Sequence, residues 1–114
     1  KMYNLVDISL DTFPFPGVTT SFESIWMGVP VITMKGYNFN SRCGESINKN
    51  LDMEFLIAEN EIQYIAKAEE LCEDKDKLTN IRKKIFDQAV SSSLFDTKSF
   101  SYDFFKTLET IYNK

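Results

Sequence analysis

A cluster of hydroxyl side chains and one carboxylate near residue 20 has the types and spacing to do chemistry. Thr19, Thr20 and Ser21 open a predicted helix, and Glu23 follows in its first turns. The free N–H groups and positive dipole end of a helix start favour an anion, and hydroxyl groups add further donors. The pattern therefore indicates a site for a ligand that carries phosphate.

A strand, a turn, the helix start and a second strand must position these side chains. Apolar runs predict buried strands over residues 6–10 and 29–34. Between them, the Phe-Pro-Phe-Pro-Gly sequence at 13–17 cannot continue a strand, because proline removes a ladder donor and Gly17 permits backbone angles that other residues avoid. In open α/β sheets, nucleotides and cofactors bind in the crevice at the carboxyl ends of such strands.

An ordinary helix cap accounts for the same residues. Thr20 followed three residues later by Glu23 matches a capping box, in which the two side chains satisfy N–H groups at a helix start. Helix starts of this kind are common and most bind nothing, so the pattern alone favours the cap. Composition does not distinguish the two interpretations.

Length and composition limit the class of protein. The 114 residues have room for one compact domain, and a net charge of −4 argues against a nucleic-acid surface. Two cysteines and no histidine argue against a disulfide scaffold, an activated thiol and a zinc site, and favour a reducing compartment such as the cytoplasm. No apolar run approaches the roughly 20 residues that a membrane span requires.

The rest of the chain reads as one more strand followed by helices. A short strand is predicted at 55–58, and helices at 19–27, 41–51, 59–73, 75–91 and 97–112, with Gly28 ending the first. Helical spacing places apolar residues on one face of each of the last three helices. These faces are Ile62, Ile65, Ala68 and Cys72; Leu78, Ile81, Ile85 and Ala89; and Phe100, Phe104, Leu108, Ile111 and Tyr112.

Charged residues near the predicted crevice have local explanations. Lys35 and Arg42 lie in the loop after the second strand and could approach a phosphate, but pairing of Arg42 with Glu45 is the favoured interpretation. Asp7 and Asp11 lie at the two ends of the first strand. We expect Asp11 to brace the turn, and we expect neither carboxylate to be catalytic.

An ordered series of motifs runs through essentially all 114 residues. Its members are Asp7-Ile8 with Leu10-Asp11-Thr12, Gly17-x-Thr19-Thr20, Trp26-x-Gly28-x-Pro30-Val31-x-Thr33, Ser41-Arg42, Glu54-x-Leu56-Ile57-Ala58, Tyr64, and Ser92-x-Leu94-Phe95-Asp96. Taken together, the series resembles the carboxyl-terminal part of the catalytic region in the O-linked N-acetylglucosamine transferase family, which is glycosyltransferase family 41 and includes SPINDLY-like members.

The resemblance implies an α/β fold, namely a three-layer, Rossmann-like, partial parallel sheet from the carboxyl-terminal portion of a GT-B glycosyltransferase. The chain would be a fragment of the UDP-sugar-binding domain, with a nucleotide-facing part at 1–58 and C-terminal helices at 59–114. Family members are inverting enzymes that transfer N-acetylglucosamine from UDP to Ser or Thr of proteins. They use no metal or other cofactor, and they usually carry tetratricopeptide repeats upstream.

The resemblance also assigns roles to residues. It implies that Gly17, Thr19 and Thr20 contact the UDP diphosphate and that Glu23 holds the ribose hydroxyls. Val18 stands where family members carry His or Gly, and Glu23 is one methylene longer than the Asp of the animal enzymes. The family's catalytic groups lie upstream, so we expect no catalytic residue here, no activity from the isolated chain, and self-association through its unpaired surfaces.

Two rival functions remain open at this point. One is a GT-B transferase that acts on a lipid or glycan acceptor. The other is a non-catalytic nucleotide-sugar-binding or scaffold module attached to tetratricopeptide repeats. The upstream sequence would separate them, because a catalytic His, a phosphate-contacting Lys and a repeat array would all lie there.

Overall fold

Three parallel strands form the sheet of this protein. The computed structural model describes residues 2–114. Its strands β1 (Ser9–Leu10), β2 (Val31–Met34) and β3 (Ile57–Ala58) are hydrogen-bonded in chain order, with β2 in the centre. The parallel α/β sheet predicted from the sequence is therefore confirmed.

Five α-helices connect or follow the strands in residues 2–114. They are α1 (Thr19–Trp26), α2 (Cys43–Asn50), α3 (Glu61–Glu73), α4 (Lys75–Ser91) and α5 (Thr97–Tyr112). The first two complete successive βαβ units, and α1, α2 and α3 all contact the central strand β2. Among residues 2–114, none of the helices combines the length and apolarity needed to cross a bilayer.

The hydrophobic core surrounds β2 and the faces of the helices that pack on it. Ile32 on β2, Ile25 on α1 and Ile85 on α4 have no exposed surface. The other buried members of the cluster are Val31, Ile47, Leu51, Met53, Leu56, Leu71, Ile81 and Ala89. A single core thus extends from the first βαβ unit to α4.

Each strand is shorter than the sequence predicts. β1 begins at Ser9 because the carbonyls of Val6 and Asp7 accept hydrogen bonds from Arg82, at 2.5 and 3.1 Å, instead of joining the sheet. The prediction that the first strand is buried is wrong, since β1 lies at an edge and Leu10 is 56% exposed. β3 is short because residues 55 and 56 belong to a 3-10 turn, Glu54–Leu56.

Two helices start later than predicted. α2 begins at Cys43 because a 3-10 turn, Phe39–Ser41, precedes it. α3 begins at Glu61, where the Asn60 side chain accepts a hydrogen bond from the backbone N–H of Gln63 and caps the helix. Gly28 ends α1 as predicted, with a φ of +74° that side chains disfavour.

The predicted helix face is correct for α4 and only partly correct for α3, and the face predicted on α5 is not covered by the rest of the described structure. All four predicted residues of α4 are buried. On α3, Ala68 packs against the core as predicted, but Ile62 and Ile65 are 80% and 57% exposed and Cys72 is exposed too. Tyr64 and Leu71 complete the inward face instead. No residue of α5 is buried.

Candidate functional site

A tight turn joins β1 to α1 at the carboxyl end of the sheet. The hydroxyl of Thr12 donates to the carbonyl of Phe15 at 2.6 Å, and the Phe13–Pro14 peptide bond is cis. The ring of Phe13 packs edge-on against that of Tyr64, with centroids 5.4 Å apart. These contacts fix the path of the chain as it approaches the helix.

The side chain of Asp11 ties this turn to the sheet. Its Oδ1 accepts the backbone N–H of Gly17 at 2.7 Å, and its Oδ2 accepts the hydroxyl of Thr33 at 2.8 Å. Asp11 is 5% exposed, and burial raises the pKa of its carboxyl against the lowering effect of these hydrogen bonds. The prediction that Asp11 braces the turn is confirmed.

The first two residues of α1, Thr19 and Thr20, are open to solvent. The helix follows Val18, and no side chain caps it, so the capping box of Thr20 and Glu23 does not form. Within residues 2–114, neither the backbone N–H nor the hydroxyl of Thr19 or Thr20 donates a hydrogen bond, and both residues are exposed. These donors are therefore available to a ligand.

Gly17 and Glu23 lie beside the two threonines. A Cβ on Gly17 would be 2.5 Å from Oγ1 of Thr20, so a larger residue there would displace this hydroxyl from its position. Glu23 is exposed one turn after Thr19 and so lies on the same face of α1, where it accepts a hydrogen bond from the hydroxyl of Tyr3 at 3.1 Å. The four predicted site residues thus cluster at the start of one helix.

The two cations of the loop after β2 are engaged by carboxylates. Lys35 lies 3.3 Å from Glu59. Arg42 makes a bidentate contact with Glu45, at 2.7 and 3.0 Å, and Lys49 reaches the same carboxylate at 2.7 Å. The hydrogen bonds from Arg42, helped by Lys49, lower the pKa of Glu45 to about 2. The favoured prediction, a local pairing of Arg42 with Glu45, is confirmed.

Three residues contact or crowd Asp11 in ways that the sequence did not predict: Thr33 and Tyr64 stand in the motif series without a role, and Gly44 lies outside it. Thr33 donates to the Asp11 carboxylate, and Tyr64 donates its hydroxyl to the backbone carbonyl of Asp11 at 2.6 Å. A Cβ on Gly44 would lie 2.2 Å from Oγ1 of Thr33 and 2.5 Å from Oδ2 of Asp11. The available signals were a hydroxyl within an apolar strand and a glycine inside a helix, where glycine is unfavourable.

This architecture is that of an α/β protein with an open parallel sheet, in which an uncapped helix start lies at the carboxyl edge of the sheet. More particularly, the chain belongs to glycosyl transferase family 41, which matches it over residues 1–104.

Individual relatives agree with this assignment. The chain is 40% identical over 112 residues to a probable UDP-N-acetylglucosamine–peptide N-acetylglucosaminyltransferase SPINDLY from Solanum lycopersicum, covering 98% of the chain and 12% of that protein. It is 35% identical over 99 residues to a UDP-N-acetylglucosamine–peptide N-acetylglucosaminyltransferase from Caenorhabditis elegans, covering 87% of the chain and 9% of that protein. The chain therefore spans only about a tenth of the length of these relatives.

A solved structure of a mutant O-GlcNAc transferase from Thermobaculum terrenum superimposes on the chain with a TM-score of 0.86 and 33% sequence identity. The superposition covers 94% of this chain and 21% of that one. The predicted fold, a partial Rossmann-like parallel sheet belonging to a GT-B glycosyltransferase, is confirmed.

Proposed function

We propose that this chain is the UDP-binding part of a protein O-linked N-acetylglucosamine transferase, which transfers N-acetylglucosamine from UDP to Ser or Thr of proteins. Membership of family 41 and the names of the relatives support the reaction class. Because the chain spans so little of those relatives, the activity, the donor and the protein acceptor all belong to the proposal.

The open start of α1 is the observation that carries the proposal. We propose that the UDP diphosphate binds there, in contact with Gly17, Thr19 and Thr20. Gly17 allows a close approach of the backbone, and the two threonines offer hydroxyl and N–H donors together with the positive end of the helix dipole. Donors that meet the diphosphate also stabilise the negative charge that develops there as the sugar leaves.

Glu23 is proposed to hold the ribose. A carboxylate accepts hydrogen bonds from two neighbouring hydroxyl groups, and Glu23 stands one helical turn from the threonines on the same face. Its present contact with Tyr3 is a single hydrogen bond between exposed side chains, which a ribose hydroxyl can replace at small cost.

Titration calorimetry of the full-length protein that contains this chain tests the nucleotide site. Thr19→Val and Thr20→Val should each weaken UDP binding about 3- to 30-fold while leaving uridine binding unchanged, because only UDP carries the diphosphate. Glu23→Ala should weaken both ligands by about 1–3 kcal/mol, the scale of a hydrogen bond to a charged group. Unchanged UDP affinity in all three variants would refute the site.

The isolated chain is proposed to be inactive, because it offers one open side of a cleft and no group that aligns an acceptor hydroxyl. Incubation with radiolabelled UDP-N-acetylglucosamine and acceptor peptides should give no product above background, whereas the full-length protein should glycosylate them. Turnover by the purified 114-residue chain would contradict this.

The same assay separates the rival functions. Full-length protein that transfers sugar only to lipid or glycan acceptors would favour the first rival. Nucleotide binding without transfer to any acceptor would favour a scaffold module. The proposal includes a reducing, cytoplasmic location, which the free thiols of Cys43 and Cys72 support.

A further inference from the structure

The Asp11 carboxylate joins three separate elements at the carboxyl edge of the sheet. Oδ1 accepts from Gly17 in the turn before α1, and Oδ2 accepts from Thr33 on β2. The backbone of α2 approaches the same oxygen so closely at Gly44 that a Cβ there would collide with it. Asp11 therefore fixes the turn relative to both β2 and α2.

The contacts continue from Gly17 to the proposed diphosphate donors. The carbonyl of Gly17 accepts the hydroxyl of Ser21 at 3.1 Å, and the space where a Cβ would stand is filled by Oγ1 of Thr20. Movement of Gly17 would therefore shift both the hydroxyl of Thr20 and the first N–H groups of α1. Asp11 itself is buried and hydrogen-bonded on both oxygens, so it offers no free group to a ligand.

We infer that Asp11 is the positioning residue of the nucleotide site: by holding the N–H of Gly17, it fixes the Thr19–Thr20 donors in the geometry that binds a diphosphate. The inference rests on the proposed function, because it concerns the same site. Donors that are already fixed need not be ordered when the ligand binds. Loss of the hydrogen bond between Asp11 and Gly17 should therefore lower the affinity for the phosphates without removing any contact to the ligand.

The site requires an acceptor for the N–H of Gly17 and a hydrogen-bond partner for the hydroxyl of Thr33. Asparagine can supply most of this, because its Oδ1 can accept from Gly17 while its amide donates to the hydroxyl of Thr33, which rotates to accept. Alanine supplies neither contact. Thr33→Val keeps the carboxylate and its bond to Gly17 but removes one donor, so it should have a smaller effect than Asp11→Ala.

Titration calorimetry of the full-length protein with UDP and with uridine tests the inference. Asp11→Ala should weaken UDP about tenfold or more and leave uridine within about twofold, and Asp11→Asn should restore most of the loss. Thr33→Val should weaken UDP about two- to fivefold. Asp7→Ala is the matched control, since its side chain lies before β1, is 81% exposed and only approaches Arg82 at 3.6 Å, so the change should affect neither ligand.

Each outcome decides a separate point. If Asp11→Ala binds UDP like wild type while Thr20→Val loses affinity, the positioning role is wrong and the diphosphate site stands. If Asp11→Ala weakens UDP and uridine equally, Asp11 serves only the fold, and the inference is overturned. If the threonine variants change nothing, the proposed site fails and the inference with it. Should Asp11→Ala not fold, Thr33→Val and Asp11→Asn decide by the same UDP-to-uridine ratio.

Discussion

Helices α4 and α5 have the same kind of apolar stripe, but only that of α4 is covered. On α4, Leu78, Ile81, Ile85 and Ala89 are buried. On α5, the corresponding aromatic and aliphatic side chains are all exposed. Leu108 is the least exposed of them, at 46%, and Tyr112 the most, at 91%. Helical periodicity thus identifies a face suited to contact, but it does not say what the face contacts.

The difference arises from the neighbours of each helix. α4 packs against α1 and α3, and the ring of Phe86 lies 5.0 Å from that of Trp26. α5 contacts mainly the 3-10 turn before it, Ser93–Phe95. Its aromatic rings therefore meet one another, as Phe100 and Phe104 do at 5.9 Å.

The largest expected effect compares a deletion on each helix. Ile85→Ala removes a fully buried side chain from α4 and should lower the free energy of unfolding by about 2–5 kcal/mol. Phe104→Ala on α5, which is 50% exposed, should change it by about 0.5 kcal/mol or less. Urea unfolding of the 114-residue chain measures both. Equal losses would mean that α5 packs against the same core.

A smaller effect should come from acid. The folded-state pKa of Glu45 is lowered from 4.5 to about 2, mainly by its hydrogen bonds with Arg42, so its contribution is complete above about pH 4.5 and is lost as the pH falls towards 2. The loss should be about 1–2 kcal/mol, because both cationic partners are half exposed to water. Urea unfolding at pH 7 and pH 3 measures it, and Glu45→Gln should remove this part of the pH dependence.

Asp96 at the start of α5 sharpens this comparison. Its pKa is also lowered, by hydrogen bonds from the side chain and backbone of Ser99. Protonation of Asp96 should weaken the cap and reduce the helical circular dichroism signal without moving the unfolding midpoint, because α5 lies outside the core. A midpoint that shifts with Asp96→Asn as it does with Glu45→Gln would contradict this division.

Substitutions on the exposed stripe of α5 should change self-association while changing the free energy of unfolding least. We expect the isolated chain to associate through the exposed aromatic stripe or through strand exchange at the β1 edge. Phe104→Ser with Leu108→Ser should yield a monomer in light scattering, with little change in unfolding. Association that persists in this variant would assign the contact to the strand edge, and a wild-type monomer at high concentration would contradict the expectation.

Features that depend on neighbouring residues in the chain could be predicted. The order of strands and helices, the end of α1 at Gly28 and the buried face of α4 follow from local periodicity and backbone preference. The cluster of Gly17, Thr19, Thr20 and Glu23 at one helix start also follows from their spacing along the chain. Their roles towards a ligand stay a prediction.

Features that depend on distant contacts could not be predicted. β1 begins late because Arg82, far along the chain, takes the carbonyls of Val6 and Asp7. Tyr64 lies on the inward face of α3, and its hydroxyl reaches the carbonyl of Asp11 across 53 positions. Local apolar spacing cannot register either of these contacts.

The order of the strands has a consequence for how the chain folds. β1 and β3 each pair with β2 and not with each other, through loops of about 22 and about 24 residues, so the two closures differ by less than about 0.1 kcal/mol in entropy. Loop-closure entropy therefore favours neither edge strand over the other in pairing with β2. Because each edge strand spans only two residues, we expect β2 to act as the template for both, so substitutions in Val31–Met34 should slow stopped-flow refolding more than substitutions at either edge.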